Sequence, residues 1–447
     1  MGDKLTFNYT KNVFKLALPV MVQQFITAFA SLIDNLMVGV NGKDAINAVG
    51  ASGNIFFVIM LLGYGISNGV GIFLAQQYGS KQYKGMHYVF LIGIIGAIII
   101  GLTSSVFVFG FKEFLINLFT RVETQHDLAY QYLSIAVFTY PIILVSISIA
   151  GAYRRCGNTV LPMISGVISI IINTCLNYLL INGNLGFPSL GVSGAALATL
   201  IARSIELIIL IIMMEKRHMP FRPNFKDIFK IPISSIKKVL SASIPLTLNE
   251  FLWGLGQTTL MALYGIKHAD NYTAVQMSYT TANLLFVVMS GFATSVSILI
   301  GQDLGKNDFV GAKNHSILLV KLSILTGIGV LILTLLLSFI TPNFYNVSAD
   351  IRQNSANILR IMAFYFPIFI LTATLFFTLR AGGDVIGVLA VDGCFMWCIC
   401  IPIAFVVNNY LPLSIVISFL LVQSSDILKL LVIRFRYSKG YWIKKIV

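Results

Sequence analysis

Twelve apolar runs divide this chain almost from end to end, and each is longer than the roughly 20 residues a helix needs to cross a hydrocarbon core. They cover 14–38, 50–77, 87–110, 128–151, 160–182, 190–214, 239–264, 274–300, 315–340, 355–379, 386–407 and 411–433. In lipid every backbone N–H and C=O must be satisfied within its own segment, so runs of this length are read as helices. The breaks carry turn chemistry: GVNGKDA at 39–45, RRCGNT at 154–159, INGNLGFPS at 181–189 and RAGGD at 380–384. The chain is 57% hydrophobic and only 11% charged. A soluble domain carries about 25% charge, and a soluble protein this apolar would expose aggregating patches. The expected class is all-α integral membrane.

The longest polar segment separates two groups of six spans. It gives an N-terminal lobe at 1–214, a cytoplasmic linker at 215–238 and a C-terminal lobe at 239–447. Sliding the chain on itself by 226 residues strengthens this division. Pro19 meets Pro245, Gly39 meets Gly265, Gly65 meets Gly291, Gln76 meets Gln302 and Gly79 meets Gly305. Further along, Pro141 meets Pro367, Arg154 meets Arg380 and Gly157 meets Gly383. Coincidences among Leu, Ile and Val would follow from composition; coincidences of Gly, Pro, Gln and Arg at one offset do not. Each half has an even number of spans, so both enter the membrane in the same direction. The expected fold is two pseudo-symmetric six-helix bundles related as a parallel repeat, an arrangement found in secondary transporters.

The net charge of +14 comes from basic residues in short segments between apolar runs. That pattern sets topology; it is not the clustered patch of a nucleic-acid-binding surface. One side collects the N-terminal Lys4, Lys11 and Lys15, then Lys81, Lys84, Arg154, Arg155, Lys306, Lys313, Arg380 and the C-terminal basic residues. The other holds only Lys43, Lys112, Arg121, Lys267 and Arg352. The positive-inside rule therefore places both termini in the cytoplasm of a multi-pass protein of the cell membrane. The apolar run after Lys15 is too long for a signal-peptide core and is read as the first span.

Enzyme signatures are missing from the sequence. GQDLGKN at 301–307 lacks the spacing and the Ser/Thr of a nucleotide-binding loop, and no HExxH or GxSxG occurs. Cys394, Cys398 and Cys400 lie in an apolar run without the spacing of metal ligands and are read as packing residues. No catalytic residue and no cofactor are expected.

Ionisable groups inside the spans are more informative, because a charge at membrane depth is costly and faces the bundle interior or a wet cavity. Arg203 with Glu206, and Asp426 with Lys429, are each three apart and read as local neutralising pairs. Asp392 has no partner nearby in sequence. Asp34 in span one has no cation within a helical turn. Asn173 and Asn177 share one face of span five at a similar depth, and Thr199 follows on span six. One carboxylate, two amides and a hydroxyl of this kind suit Na⁺ or a proton. Glu250 lies mid-span with Trp253 and Gln257 on its face. An acid beside an indole suits an organic cation.

Several stretches in order resemble the multidrug and toxic compound extrusion (MATE) family over nearly the whole chain. They are LIDNLMVGVNGKDAINAVG (32–50), NYLLINGNLGFPSLGVSGAALAT (177–199), Pro245 with NEFLWGLG, and GQDLGKND (301–308). The resemblance implies that Asp34 is the acid of an N-lobe cation site, with Asn173, Asn177 and Thr199 as its polar companions, and that Glu250 is the seventh-span acid. Two departures matter. Asn177 stands where some members carry Asp, and residues 361–379 hold no Asp or Glu, so a further acid found in the tenth span of some members has no counterpart. Proton coupling, or a cation site confined to the N-lobe, is favoured accordingly.

The expected function is secondary active efflux of amphipathic or cationic small molecules against Na⁺ or H⁺, by alternating access. Membrane lipid is the surroundings, and no obligate protein partner is implied. A lipid-linked oligosaccharide flippase is the alternative, marked by arginines inside the spans. A membrane-embedded transferase would need a catalytic constellation that the sequence does not offer.

Overall fold

The computed structural model describes residues 2–120 and 122–447. Arg121 and the side chain of Lys4, both used in the charge reading, lie outside that description. No strand occurs among the described residues. The helices in chain order are α1 (Gly2–Gly39), α2 (Lys43–Gly79), α3 (Tyr83–Asn117), α4 (Glu123–Ala136), α5 (Thr139–Arg155), α6 (Val160–Asn182) and α7 (Gly191–Lys216). They continue as α8 (Ile233–Gly265), α9 (Ala269–Gly305), α10 (Phe309–Ile340), α11 (Ala349–Ala381), α12 (Val385–Leu389), α13 (Ile401–Tyr410) and α14 (Ile415–Ser438). Between α12 and α13 the backbone widens into two π-helical stretches, Ala390–Cys394 and Met396–Cys400.

Every expected span falls on one of these helices or on a consecutive set. Among the described residues ten are long and apolar enough to cross a membrane, or eleven when α4 and α5 count as one bent span. The twelfth, α8, has 33 residues, but Asn249, Glu250 and Gln257 interrupt its apolar run. α2 and α9 have 37 residues each. At 1.5 Å per residue each is about 55 Å long, so their ends extend beyond a hydrocarbon core of about 30 Å.

Span four departs from the straight helix expected over 128–151. It breaks between Ala136 and Thr139 and bends by 52°. Pro141, third in α5, has no N–H for the carbonyl four residues back, and its ring crowds that carbonyl. Helix continuing through 137 is disfavoured for that reason.

Two compact units form. The N unit comprises Val22–Leu74 and Gln82–Thr247; the C unit comprises Met1–Met21, Ala75–Lys81 and Leu248–Val447. α1 and α8 each pass from one unit to the other two residues beyond a proline, Pro19 and Pro245. In the N unit, Ile55, Ile59, Val108, Leu133, Tyr140 and Leu144 form the main core, with Val38, Ile181 and Val192 in a smaller one. The segment between α7 and α8 is anchored there too. Phe221 is fully buried, its ring 5.0 Å from that of Phe90 and 5.1 Å from that of Tyr153. In the C unit the core is built on Tyr264, Val275, Leu285, Ile358, Phe366 and Phe419.

The repeat is visible in contacts within each unit. A Cβ at Gly101 would strike Pro141, and a Cβ at its repeat mate Gly327 would strike Pro367. Lys81 and Asn307 take φ of 58° and 62°, and Gly157 and Gly383 take φ of 81° and 78°. Outward faces are apolar: Leu325, Ile328, Ile332, Leu336 and Phe339 of α10 are all exposed at helical spacing. A stripe of that kind suits lipid and not water.

Candidate functional site

In the N unit, α1, α6 and α7 bring Asp34, Asn173, Asn177 and Thr199 together. Asn177 Nδ2 donates to Asp34 Oδ1 at 2.9 Å. The Asn173 amide is satisfied at both ends when its nitrogen faces the carboxylate. It then donates to Asp34 Oδ2 at 3.2 Å and Oδ1 at 3.3 Å, and its oxygen accepts from Thr199 Oγ1 at 3.2 Å. Two amide N–H groups thus hold the carboxylate in a fixed orientation, as charge-assisted hydrogen bonds do.

A cavity of about 80 Å³ opens beside this cluster, lined by Thr27, Ser31, Asp34, Asn173, Thr199 and Arg203 among others. Water occupies about 30 Å³ in the liquid, so the space suits an ion with a water or two. Thr27 and Ser31 donate their hydroxyl protons backward, to Gln23 O at 2.8 Å and Thr27 O at 3.1 Å. Their remaining lone pairs are acceptors only. Asn177 Oδ1 is buried and receives no hydrogen bond among the described residues. The Thr27, Ser31 and Asp34 oxygens supply acceptors for a hard monovalent cation or a proton, while the Arg203 guanidinium sets a positive charge on the same wall. Among the described residues no three His, Cys, Asp or Glu side chains gather as a metal set.

Sequence reasoning missed several members of the lining, among them Thr27, Ser31 and Arg203. Thr27 and Ser31 stand seven and three residues before Asp34, on one face of α1, and that spacing was readable. Arg203 was read only as the partner of Glu206. The ion pair exists, at 2.7 Å, but Arg203 also lines the Asp34 cavity. Asp34 itself makes no salt bridge within 4 Å among the described residues.

The C unit corrects three readings. Glu250 had no cation nearby in sequence; in space Arg380 Nη2 donates to Glu250 Oε1 at 2.9 Å. Arg380 is one of the basic residues assigned from sequence to the cytoplasmic side, yet its side chain is only 3% exposed. Its place in the last turn of α11, against mid-α8, accounts for both. Among the described residues the salt bridge of Lys429 is to Asp392 and not to Asp426, three residues away on the same helix. Lys429 Nζ instead donates to Asp392 Oδ1 at 2.5 Å, and Asp426 accepts from Gln423. Asp392, unassigned from sequence, is therefore partnered. Trp253 is exposed and Gln257 half-buried, on the α8 face that also bears Glu250; the hydrogen bonds that bring Glu250 to Arg380 do not include them.

Comparison with known proteins adds an independent finding. The chain matches the family model described as MatE over residues 19–179 and 245–406. A shorter stretch, 133–266, matches the model of the lipid II flippase MurJ. It is 24% identical to a probable multidrug resistance protein NorM of Thermotoga maritima, over 98% of this chain and 94% of that one. It is 23% identical to a probable multidrug resistance protein YoeA of Bacillus subtilis, over 96% and 93%. Among solved structures, a multidrug resistance MATE family transporter of the MOP superfamily in its outward-facing conformation aligns with a TM-score of 0.87, at 19% identity and 96% coverage of both chains.

Proposed function

The chain belongs to the MatE family, and from that premise we propose that it is a secondary active antiporter exporting amphipathic, cationic compounds against Na⁺ or H⁺. It is a multi-pass membrane protein, and the family it belongs to is one of transporters and not of enzymes. Its setting in this reading is the cell membrane with both termini cytoplasmic, and alternating access carries the substrate across.

One observation carries the proposal: the Asp34 carboxylate, braced by Asn177 and Asn173 beside a polar cavity. A carboxylate at this depth without its own salt bridge favours taking up a cation or a proton. Asp34, Asn173, Asn177 and Thr199 are the coupling set in this reading. Glu250, Trp253 and Gln257 are the substrate set. There the substrate cation competes with Arg380 for Glu250, so drug binding and release of that ion pair are linked.

The test is transport of a fluorescent organic cation in proteoliposomes under a Na⁺ gradient or a proton gradient, imposed separately. Movement under one gradient names the coupling ion. Movement under neither removes the antiporter reading. The match of 133–266 to a flippase model supports a second reading, in which lipid-linked oligosaccharide is moved. That reading calls for unpaired cations in the spans; Arg203 is paired with Glu206, whereas Arg360 donates to the neutral Asn357 at 2.9 Å and makes no salt bridge among the described residues, which makes it the residue on which the second reading rests.

A further inference from the structure

The widened π-helical turn at Ala390–Cys394 carries an acid that the coupling set of the N unit does not use. Interruptions of this type recur at functional sites. Both oxygens of Asp392 are engaged from different helices of the C unit. Asn249 of α8, itself 2% exposed, donates Nδ2 to Asp392 Oδ2 at 3.0 Å. Its Oδ1 accepts from Gly393 N at 3.0 Å, so one amide clamps both residues of the turn. Lys429 of α14 holds Oδ1. One turn earlier on α14, Asp426 faces the same region and is bonded by neutral Gln423.

The charge count decides what this cluster can do. Two carboxylates and one ammonium leave one negative charge when all are ionised. Glu250, on the adjoining turn of α8, is paired with Arg380 of α11. The remaining titratable neighbours are Cys400 on the second π-helical stretch, Tyr264 on α8, Tyr279 on α9 and Tyr365 on α11. All four are neutral in their ordinary state near pH 7. No basic side chain other than Lys429 makes a salt bridge here among the described residues, and an uncompensated buried charge is expensive.

We propose that Asp392 and Asp426 together hold one exchangeable proton, with Lys429 as the ammonium that both acids share. Protonation of Asp392 breaks its ion pair and leaves Lys429 to Asp426; loss of that proton restores the ion pair between α14 and the π-helical turn. A proton suits the geometry better than Na⁺, because both oxygens of Asp392 and one of Asp426 already accept hydrogen bonds. This site lies outside the N-unit set and gives the C unit a titration of its own, although residues 361–379 carry no acid.

The test is pH-difference infrared spectroscopy of the full-length protein in lipid, read at the protonated-carboxyl stretch. All variants carry Asp34→Asn, so the outcome is separate from that of the antiporter reading, which transport assays decide. A protonated-carboxyl band is expected in Asp34→Asn, abolished by adding Asp426→Asn or Asp392→Asn. Lys429→Gln should raise its amplitude about twofold, since two acids then lack their base. Asp426→Glu should keep the band at a shifted position, which separates loss of the proton from loss of fold. A band indifferent to Asp392→Asn and Asp426→Asn overturns the proposal. So does displacement of the proton by Na⁺ at fixed pH, which would make the site a sodium site.

Discussion

Asp34→Asn is the most informative perturbation of the N unit. The two side chains have the same shape, so packing is preserved while a charge is removed. A unit charge about 4 Å from a cation contributes about 4 kcal/mol at an effective dielectric constant near 20. At 1.4 kcal/mol per decade, that is a loss of about 10³ in cation affinity. The new amide keeps only one acceptor oxygen where Asn177 and Asn173 each offer an N–H, which disturbs the local network further. Asn177→Ala keeps the charge and removes one hydrogen bond to it, worth about 1.5–3 kcal/mol or roughly a 10- to 150-fold change. The expected order of damage is therefore Asp34→Asn, then Asn177→Ala, then Thr199→Ala. The assay is gradient-driven efflux of a fluorescent organic cation from proteoliposomes, with expression and size-exclusion behaviour as controls. Export by Asp34→Asn within threefold of the parent protein would refute the reasoning.

Other perturbations address the scaffold and the second ion pair. Glu250→Gln strands the buried Arg380 guanidinium and should lower stability by about 3–5 kcal/mol, read as a fall in Tm, with Arg380→Gln added to it restoring part of the loss. Gly101→Ala and Gly327→Ala place a methyl group against Pro141 and Pro367 and should each cost about 1–3 kcal/mol in thermal melting; a large cost at one site and none at the other would contradict the repeat. Gln76 is fully buried, donating to Ala381 O at 3.0 Å and accepting from Ile446 N at 2.9 Å. Gln76→Leu leaves those two groups unsatisfied at about 1–3 kcal/mol each and should raise the protease sensitivity of the C-terminal tail.

Much of this architecture was legible because the membrane imposes simple rules. Apolar run length located the helices, and the 226-residue offset located the repeat. The Asp34 cluster was legible because helical spacing fixes which residues share a face and depth. What escaped the sequence was pairing over long separations. Glu250 and Arg380 are 130 residues apart, and Asn249 and Asp392 are 143 apart. Short-range spacing pointed Lys429 toward Asp426, three residues away, but a lysine stem reaches several ångströms and found the acid on the π-helical turn instead. The break of span four was signalled by Pro141. Its repeat mate Pro367 lies inside an unbroken α11, so proline alone does not tell which helix yields.

The two halves keep the same scaffold contacts but not the same ionic chemistry. Gly101 against Pro141 recurs as Gly327 against Pro367, and the left-handed turn at Lys81 recurs at Asn307. The positions 226 residues beyond Asp34 and Asn177 are Leu260 and Ile403, so the N-unit cluster has no copy. Arg203, by contrast, corresponds to Lys429, and a cation is kept at one repeat position in both units. Its acid differs: Glu206 on the same helix in one unit, Asp392 from a different helix in the other. A pair within one helix can form and break without moving a neighbour. A pair between α14 and the π-helical turn, clamped in addition by α8, cannot. Breaking the first therefore changes charge beside the Asp34 cavity, whereas breaking the second loosens the contact among three segments. Under this division of labour, exchanging Glu206 for Gln should alter ion affinity more than stability, and exchanging Asp392 for Asn should do the reverse.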